Sequence, residues 1–372
     1  MIRHLVAHVC CRQDPKVSCG MRTTLVSRSL RVALGAASIS FLAACRATSP
    51  AQAAGALANP DGPPPAPPAR WVGLIGEYGP DSAIRMVLER GGLLYLHVKT
   101  SPDVALVEVT QDRFTPLRDD DGRSNAVFAR DASGRATQLT VGDDTFTRRQ
   151  VGPEAGNQLV VRLIRPVNEV RRTALAATPP HETGPFRPAD LVELTSLDPT
   201  IKLDIRYATT NNFMGAPFYT QARAFLQRPA ALALVRVSAA LRSKGFGLLV
   251  HDGYRPWSVT KMFWDATPDD KHLFVANPAD GSKHNRGEAV DLTLYDLATG
   301  APVDMVSTYD ETTDRAAADY PGGTSRQRWH RELLRRAMEA ERFTVIVAEW
   351  WHFDYADWRQ YGIGNIPFEQ IR

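Results

Sequence analysis

Two separated segments carry side chains of the types that bind metal ions and move protons. His284 and Asp291 lie near the two ends of the stretch SKHNRGEAVD, and His352 ends the stretch EWWH. A turn at Gly287 would bring His284 and Asp291 toward one point, where a separate strand could add His352. Two imidazoles and one carboxylate suit catalytic zinc, which keeps its fourth coordination position for water. The spacing therefore predicts a zinc site with hydrolytic chemistry.

A fourth residue, Glu349, lies three positions before His352 and is close enough in sequence to share the pocket. We expect it to act as general base and then general acid, taking a proton from the attacking water and passing it to the leaving amine. Residues three apart on a regular strand face opposite sides, so this strand must twist, bulge or end. Arg255, in the stretch DGYRP, offers a fixed positive charge for the oxyanion of amide hydrolysis.

Isolated polar and aromatic residues elsewhere have plainer interpretations. Asp252 and Gly253 form a turn signal, and Trp350 and Trp351 could be core residues. The remaining titratable candidates are interpreted as surface, core or turn residues: His251, His272, His330, Glu77, His97 and Asp119–Asp121.

Cysteine placement and composition exclude several classes of function. All four cysteines lie in the first 45 of 372 residues, so the rest of the chain has no thiolate ligand, thiolate nucleophile or disulfide framework. The formal net charge is only +3, without a basic block, and this gives no reason to expect a nucleic-acid partner. A content of 44% hydrophobic and 23% charged residues is typical of a soluble globular protein.

The first 45 residues have the pattern of a leader. From Met21, a plausible alternative start, basic residues precede the apolar run 32–44, which is too short to span a bilayer as a helix. The run ends in Leu-Ala-Ala-Cys45, which resembles the bacterial lipobox and predicts a lipid anchor at Cys45; a signal peptide cleaved without lipid is the alternative. The Ala/Pro/Gly-rich residues 46–70 predict an extended spacer, and the folded part would face the periplasm from the cell envelope.

The remaining chain divides into two patterns. Residues 71–170 alternate short Val/Leu/Thr-rich runs with Gly/Asp turns, which predicts a small all-β domain, a sheet or barrel of unknown role. Residues 171–190 predict a Pro-containing linker. Residues 191–372 predict an α+β domain with a central antiparallel sheet flanked by helices. The individual predictions are strands at 93–98, 105–109, 126–128, 138–141, 159–164, 248–250, 290–294 and 344–355, and helices at 229–244, 259–265 and 327–342.

The motifs together resemble the zinc D-alanyl-D-alanine dipeptidases of the vancomycin-resistance type, a branch of the zinc D-Ala-D-Ala peptidases (peptidase family M15). The pattern S-x-H-x-x-G-x-A-x-D is matched at every fixed position from Ser282 to Asp291, and E-x-W-H is matched from Glu349 to His352. The stretches DIRYATTNNFMG, DGYRP, HNRGEAVDLTLYD and EWWHFDY are similar to the dipeptidase branch. The resemblance covers roughly residues 190–372, and its motifs occur in the expected order.

The resemblance implies a role for each residue and one zinc ion per chain. His284, Asp291 and His352 would be the zinc ligands, with Glu349 as the catalytic base and Arg255 stabilising the transition state. An acidic residue that receives the free amino group of the substrate would fall at Asp310, although the run before it, Met305–Tyr309, lacks the Gly/Pro-containing pattern usual in the family. Ser282 would contact the substrate or orient the site.

Three interpretations of function follow from these residues. The main one is hydrolysis of D-Ala-D-Ala, or a similar D,D-dipeptide, in the cell envelope, either for glycopeptide resistance or for salvage of D-alanine. The second keeps the chemistry but changes the substrate, as a D,D-carboxypeptidase or L,D-type peptidase acting on N-blocked wall peptides. The third is a non-catalytic wall-binding protein with a vestigial zinc site. Intact Glu349 and Arg255 disfavour the third, since a structural zinc would usually have four protein ligands.

Overall fold

The structure is a computed structural model and describes residues 62–117, 125–152 and 161–371. The predicted leader, the anchor at Cys45 and the cluster Asp119–Asp121 lie outside these ranges. Within them, no helix is both long and apolar enough to cross a membrane. The folded elements form two main sheets that belong to one compact unit.

The first sheet has eight strands in chain order, each antiparallel to the next, and it follows a short helix α1 (Ala69–Val72). A bridge between Tyr78 and Arg148 joins the first strand to the residue after the last strand, so the two ends of the sheet meet. This confirms the predicted antiparallel sheet in the N-terminal region. The strands are β1 (Gly76–Tyr78), β2 (Arg85–Arg90), β3 (Leu93–Val98), β4 (Ser101–Thr110), β5 (Arg113–Pro116), β6 (Ala126–Arg130), β7 (Ala136–Val141) and β8 (Asp144–Thr147).

Alternating burial along these strands fills the interior of the first sheet with aromatic and aliphatic side chains. Phe114 lies at its centre, with its ring edge-to-face against Phe128 at 5.6 Å and against Trp71 at 6.3 Å. Such pairs add to the stabilisation from burial alone. The first sheet therefore has a hydrophobic core of its own.

The second sheet has five strands in the order β10-β12-β13-β15-β14. Its neighbours are antiparallel except β10 and β12, which run parallel, so the predicted antiparallel sheet carries one parallel edge strand. A separate ladder pairs β9 (Leu191–Glu193) with β11 (Phe225–Gln227). The five strands are β10 (Lys202–Leu203), β12 (Phe246–Asp252), β13 (Ala289–Asp296), β14 (Phe343–Ile346) and β15 (Glu349–Tyr355).

Two long helices contact the second sheet, and their bounds lie within two residues of the predicted ones. Helix α4 (Arg228–Arg242) starts with Pro229 in its first turn and is followed by Gly245 at a positive φ of 89°. Helix α6 (Ser325–Ala340) starts after Thr324, which forms a capping box with Gln327. Helix α4 contacts β12, and α6 contacts β14. The other helices are α2 (Val167–Ala176), α3 (Leu194–Leu197) and α5 (Trp257–Ala266).

Three local predictions differ from the structure. Residues 344–355 are a hairpin of β14 and β15 joined at Val347–Ala348, a turn that the sequence does not signal because neither residue is a usual turn former. Residues 171–176 of the predicted linker continue α2, because Val170 and Ala174 are buried where α2 contacts α5. The prediction of a strand at 159–164 is wrong for the described residues 161–164, which form no strand. Val161 instead joins the core beneath the second sheet.

Candidate metal centre and active-site cleft

Three side chains from distant parts of the chain meet at one buried point. His284 Nε2 lies 3.2 Å from His352 Nδ1 and 3.4 Å from Asp291 Oδ1, and His352 Nδ1 lies 3.0 Å from the same oxygen. All three residues are buried, and they form the one group of metal-binding residue types found among the described residues. The sequence predicted this set, and the fold brings it together.

Local structure explains why these residues converge. His284 opens a single 3-10 turn that ends at Gly287, whose φ is +69°. A Cβ at Gly287 would approach Leu191 to 2.6 Å, so the turn needs glycine both for its conformation and for space. The chain then enters β13, where Asp291 lies directly opposite His352 of β15. Neighbours across an antiparallel pair point to the same face, which brings both side chains to His284.

Hydrogen bonds to the outer ring nitrogens orient both histidines. His284 Nδ1 lies 2.8 Å from the carbonyl oxygen of Gly253, which can only accept, so Nδ1 carries the proton and Nε2 keeps a free lone pair. His352 Nε2 lies 2.9 Å from Asp354 Oδ1, and the other oxygen of Asp354 accepts from Lys283. A carboxylate behind a histidine is the arrangement that fixes the tautomer of a metal ligand.

The donor set fits a tetrahedral cation. Ligand atoms bound at zinc distances and tetrahedral angles lie roughly 3.3 Å apart, close to the three separations observed here. Asp291 Oδ1 is buried and makes no hydrogen bond. Burial alone would lower the pKa of His352, yet Asp291, Asp354 and Glu349 raise it to about 10. The pocket therefore favours a positive charge at the point where the three lone pairs meet.

Glu349 is the first residue of β15 and lies beside this group, with Oε2 3.9 Å from His352 Nδ1. Pairing between β14 and β15 shifts register here: Ile346 pairs with Glu349, while Val345 pairs with Phe353. Three residues of β15 bulge out between these pairs, so the expected end or bulge of the strand is confirmed. The Glu349 side chain is 41% exposed, but it lies inside a concave cleft, and desolvation there raises its pKa.

Arg255 lies in the wall of the same cleft and is fixed by Asp252. Its Nε and Nη2 donate to Asp252 Oδ2 at 3.0 and 2.6 Å, while Tyr219 donates to Asp252 Oδ1 at 2.6 Å. The guanidinium lies over the rings of Tyr207 and Phe263, 5.2 and 5.0 Å from their centroids. Burial disfavours its charge, but Asp252 and its neighbours raise the pKa of Arg255 well above its ordinary value. Arg255 is therefore a permanently charged, oriented donor.

Asp310 and Ser282 line the same cleft, which has a volume of about 480 Å³. Asp310 adopts a left-handed backbone conformation, with a φ of 60°, and accepts from the hydroxyl of Tyr207 at 3.2 to 3.3 Å. Burial and the carboxylates of Asp291 and Glu349 raise the pKa of Asp310 well above its usual value. Ser282 Oγ accepts from the backbone N–H of His284 at 3.2 Å. All seven predicted site residues thus line one cleft.

Sequence reasoning missed four residues that hold this arrangement. Asp252 was interpreted as a turn residue but holds Arg255, and Asp354 follows His352 by two positions, a strand spacing that could have revealed it. The hydroxyls of Tyr207 and Tyr309 lie 3.3 Å apart, and they donate to Asp310 and to Asp291 respectively. No sequence signal pairs Tyr309 with Asp291, because only the fold brings them into contact.

Comparison with known proteins gives matches over the C-terminal part of the chain. A family model for peptidase M15, described as D-ala-D-ala dipeptidase, matches residues 187–362, a range that excludes the first sheet. A D-alanyl-D-alanine dipeptidase of Escherichia coli K12 is 35% identical over 165 residues, which cover 44% of this chain and 84% of that protein. A D-alanyl-D-alanine dipeptidase of Enterococcus faecalis V583 is 35% identical over 175 residues, covering 42% and 87%. One from Streptomyces coelicolor is 34% identical over 192 residues, covering 46% and 91%.

Proposed function

The chain belongs to the D-alanyl-D-alanine dipeptidase family of peptidases, and from that premise we propose that it hydrolyses D-Ala-D-Ala, or a similar D,D-dipeptide, with one zinc ion per chain. The observation that carries the proposal is the meeting of His284 Nε2, His352 Nδ1 and Asp291 Oδ1 within 4.8 Å of one another in a buried pocket. Two neutral imidazoles and one carboxylate are the donor set of catalytic zinc sites.

His284, Asp291 and His352 would hold the zinc, which when bound supplies a Lewis acid that polarises a carbonyl and lowers the pKa of water. Glu349 would accept the proton of that water, and its position in the cleft, 3.9 Å from His352, supports this role. Its raised pKa suits a group that must first take and then release a proton. The Glu349 carboxyl then passes the proton to the leaving amine as the C–N bond breaks.

Arg255 would stabilise the negative charge that develops on the carbonyl oxygen of the substrate. Its pairing with Asp252 uses Nε and Nη2, which leaves Nη1 available to a group in the cleft. A donor held in place before the reaction needs no reorientation during it, and this is the main source of electrostatic stabilisation in enzymes. The stacking of the guanidinium over Tyr207 and Phe263 supports such a fixed orientation.

Asp310 would receive the free amino group of the dipeptide. A buried carboxyl whose pKa is raised by neighbouring carboxylates is strongly stabilised as an anion by an incoming ammonium group. Ser282 also lines the cleft and would contact the substrate or hold the turn that carries His284. A requirement for a free amine would favour short substrates over wall peptides that are blocked at that position.

The test is an assay of the purified protein on D-Ala-D-Ala and on the N-acetylated dipeptide, before and after chelation. We expect the protein to hydrolyse the free dipeptide. Chelation should abolish this activity, and added zinc should restore it. Preferred hydrolysis of the N-acetylated compound would instead support the D,D-carboxypeptidase alternative. Zinc binding without turnover of either compound would support the non-catalytic alternative.

The place of this activity in the cell remains a prediction. The pattern before Cys45 predicts a lipid anchor and a location in the cell envelope, facing the periplasm. The Cys45→Ser variant should then move from the membrane fraction to the soluble fraction, and an unchanged distribution would contradict the anchor.

A further inference from the structure

The first sheet shares a hydrophobic core with the C-terminal fold. Side chains of β2 alternate between two cores: Val87 belongs to the core of the first sheet, while Met86 and Leu88 belong to the core that contains the second sheet. Both Val87 and Leu88 are fully buried. The first sheet is therefore packed onto the C-terminal fold, and its position is fixed.

Hydrogen bonds also join the first sheet to the C-terminal fold, near residues 320–325. Glu89 on β2 donates its backbone N–H to the carbonyl of Gly323 at 3.1 Å and accepts at Oε2 from the backbone N–H of Ser325 at 2.7 Å. Tyr320 donates its hydroxyl to Glu77 of β1 at 2.8 Å, and that bond is buried. Residues 304–324, which we call the Asp310 segment, are thus anchored to the first sheet near their C-terminal end.

A second contact joins the end of the first sheet to the Asp310 segment at the cleft. Gly152, which follows the last strand of the first sheet, has a φ of +55° and lies against the carboxylate of Glu311. A Cβ at Gly152 would stand 2.5 Å from Glu311 Oε2 and 3.0 Å from its Cδ. Glu311 is the neighbour of Asp310 in the chain, and both line the cleft.

Glu311 cannot easily move away from such a contact. It is buried, its Oε2 accepts from the backbone N–H and the hydroxyl of Thr308 at 3.2 and 3.3 Å, and its Oε1 accepts from Thr313 at 2.5 Å. Arg315 lies 3.4 Å from Oε1. Glu311 therefore ties together both sides of the turn that carries Asp310, and any displacement of its carboxylate changes that turn.

We infer that the first sheet positions the Asp310 segment, through Gly152 against Glu311 and Glu77 with Tyr320, and so sets recognition of the amino group of the substrate. This inference deepens the proposed function and rests on it. Gly152 and Glu77 are positioning residues, since they act on the substrate only through Asp310. The left-handed backbone of Asp310 needs such support from its surroundings, because a side chain in that conformation is strained.

The test compares Gly152→Ala with Gly134→Ala in the full chain. Both glycines have positive φ, but a Cβ at Gly134 meets nothing within 4 Å, so this control carries the backbone strain without the collision. Gly152→Ala should raise KM for D-Ala-D-Ala roughly tenfold, because weakening a contact to a charged group changes affinity by about that factor. The kcat and the amount of bound zinc should change little. Gly134→Ala should keep the wild-type KM. An equal KM in Gly152→Ala and the control would overturn the inference.

A double mutant separates this role from a general structural one. If Gly152 acts through Asp310, Gly152→Ala should have no further effect on KM in an Asp310→Asn background. Independent, multiplying effects of the two substitutions would contradict the proposed route.

Hydrogen exchange tests the same positioning without turnover. Amides of residues 305–324 should exchange faster in Gly152→Ala and in the milder Tyr320→Phe than in wild type or Gly134→Ala. Unchanged exchange in both variants would overturn the inference even if the folded protein is active. A wild-type protein inactive on D-Ala-D-Ala would refute the proposed function, and the exchange measurement would still decide the role of the first sheet.

Discussion

Tyr309 donates its hydroxyl to Asp291 Oδ2 over 3.0 Å, and the other oxygen of Asp291 faces the two histidines of the candidate metal centre. The hydrogen bond fixes which oxygen can bind an ion and how the carboxylate is turned. Both residues are buried, so losing this hydrogen bond would cost free energy that water does not fully restore. Tyr309 therefore supports the candidate metal centre without being one of its three possible ligands.

Tyr309→Phe should lower zinc affinity by at least about tenfold, because Asp291 loses the partner that orients it. Competition with a chelator of known affinity measures the change. Tyr295→Phe is the matched control, since it removes the hydrogen bond of another buried tyrosine, to the carbonyl of Thr200, away from the cleft. Equal zinc affinities in the two variants would show that the Tyr309 hydroxyl does not support the site.

Glu349→Ala should lower kcat by roughly a hundredfold or more while zinc stays bound, because the proposed mechanism uses Glu349 to move the proton and not as one of the three converging ligands. Turnover and metal content measured on the same preparation check this. Glu332→Ala, at a partly exposed glutamate of α6 paired with Arg336, serves as control. Loss of zinc together with turnover would mean that Glu349 is a ligand.

Glu288 should make the protein less stable as the pH rises. It is fully buried, neither carboxylate oxygen has a hydrogen-bond partner, and burial, reinforced by Asp357 and opposed by Arg187 and Arg342, raises its pKa to about 8. The folded state therefore binds a proton between pH 4.5 and 8 that the unfolded state has released. The contribution of Glu288 to the free energy of unfolding is therefore greatest below pH 4.5 and falls as the pH rises to 8. At pH 7 the free energy of unfolding is lower by about 3 kcal/mol.

Glu288→Gln should remove that decline, because glutamine stays neutral. Urea unfolding at pH 5, 7 and 9 measures it, with Glu332→Gln at a partly exposed position as control. The variant should gain stability relative to wild type as the pH increases. Parallel curves for wild type and Glu288→Gln would mean that the buried carboxyl does not titrate in this range.

The fragment of residues 180–372 should be less stable than the whole chain, although it contains every predicted site residue. It lacks Met86 and Leu88 of the first sheet and also Val161, Val170 and Ala174, all of which fill part of its core, and exposing the vacated surface costs at least roughly 2–5 kcal/mol. Urea unfolding of both proteins checks this. A fragment as stable as the whole chain would show that the two cores are energetically independent.

The sequence alone predicted the chemistry that we propose for this protein. Metal binding requires particular residue types, and the sequence shows these directly. The ligand types, the glycine turn between His284 and Asp291, and the stretch EWWH can therefore be recognised without coordinates. The long helices were also predictable, because the spacing of apolar residues, Pro229 and Gly245 are local signals. The irregular strand at Glu349 followed from strand periodicity together with the expectation that Glu349 and His352 share one pocket.

Only the tertiary structure decided how these parts support one another. Residues 344–355 resembled one strand because Val347 and Ala348 are not turn-forming residues, and the fold-back there is visible only in the pairing of β14 with β15. The bonds from Tyr309 to Asp291, and the contact of Gly152 with Glu311, join residues whose separation in sequence carries no periodic signal. Side-chain contacts of this kind depend on how elements are arranged in space, and local sequence patterns encode only the elements themselves.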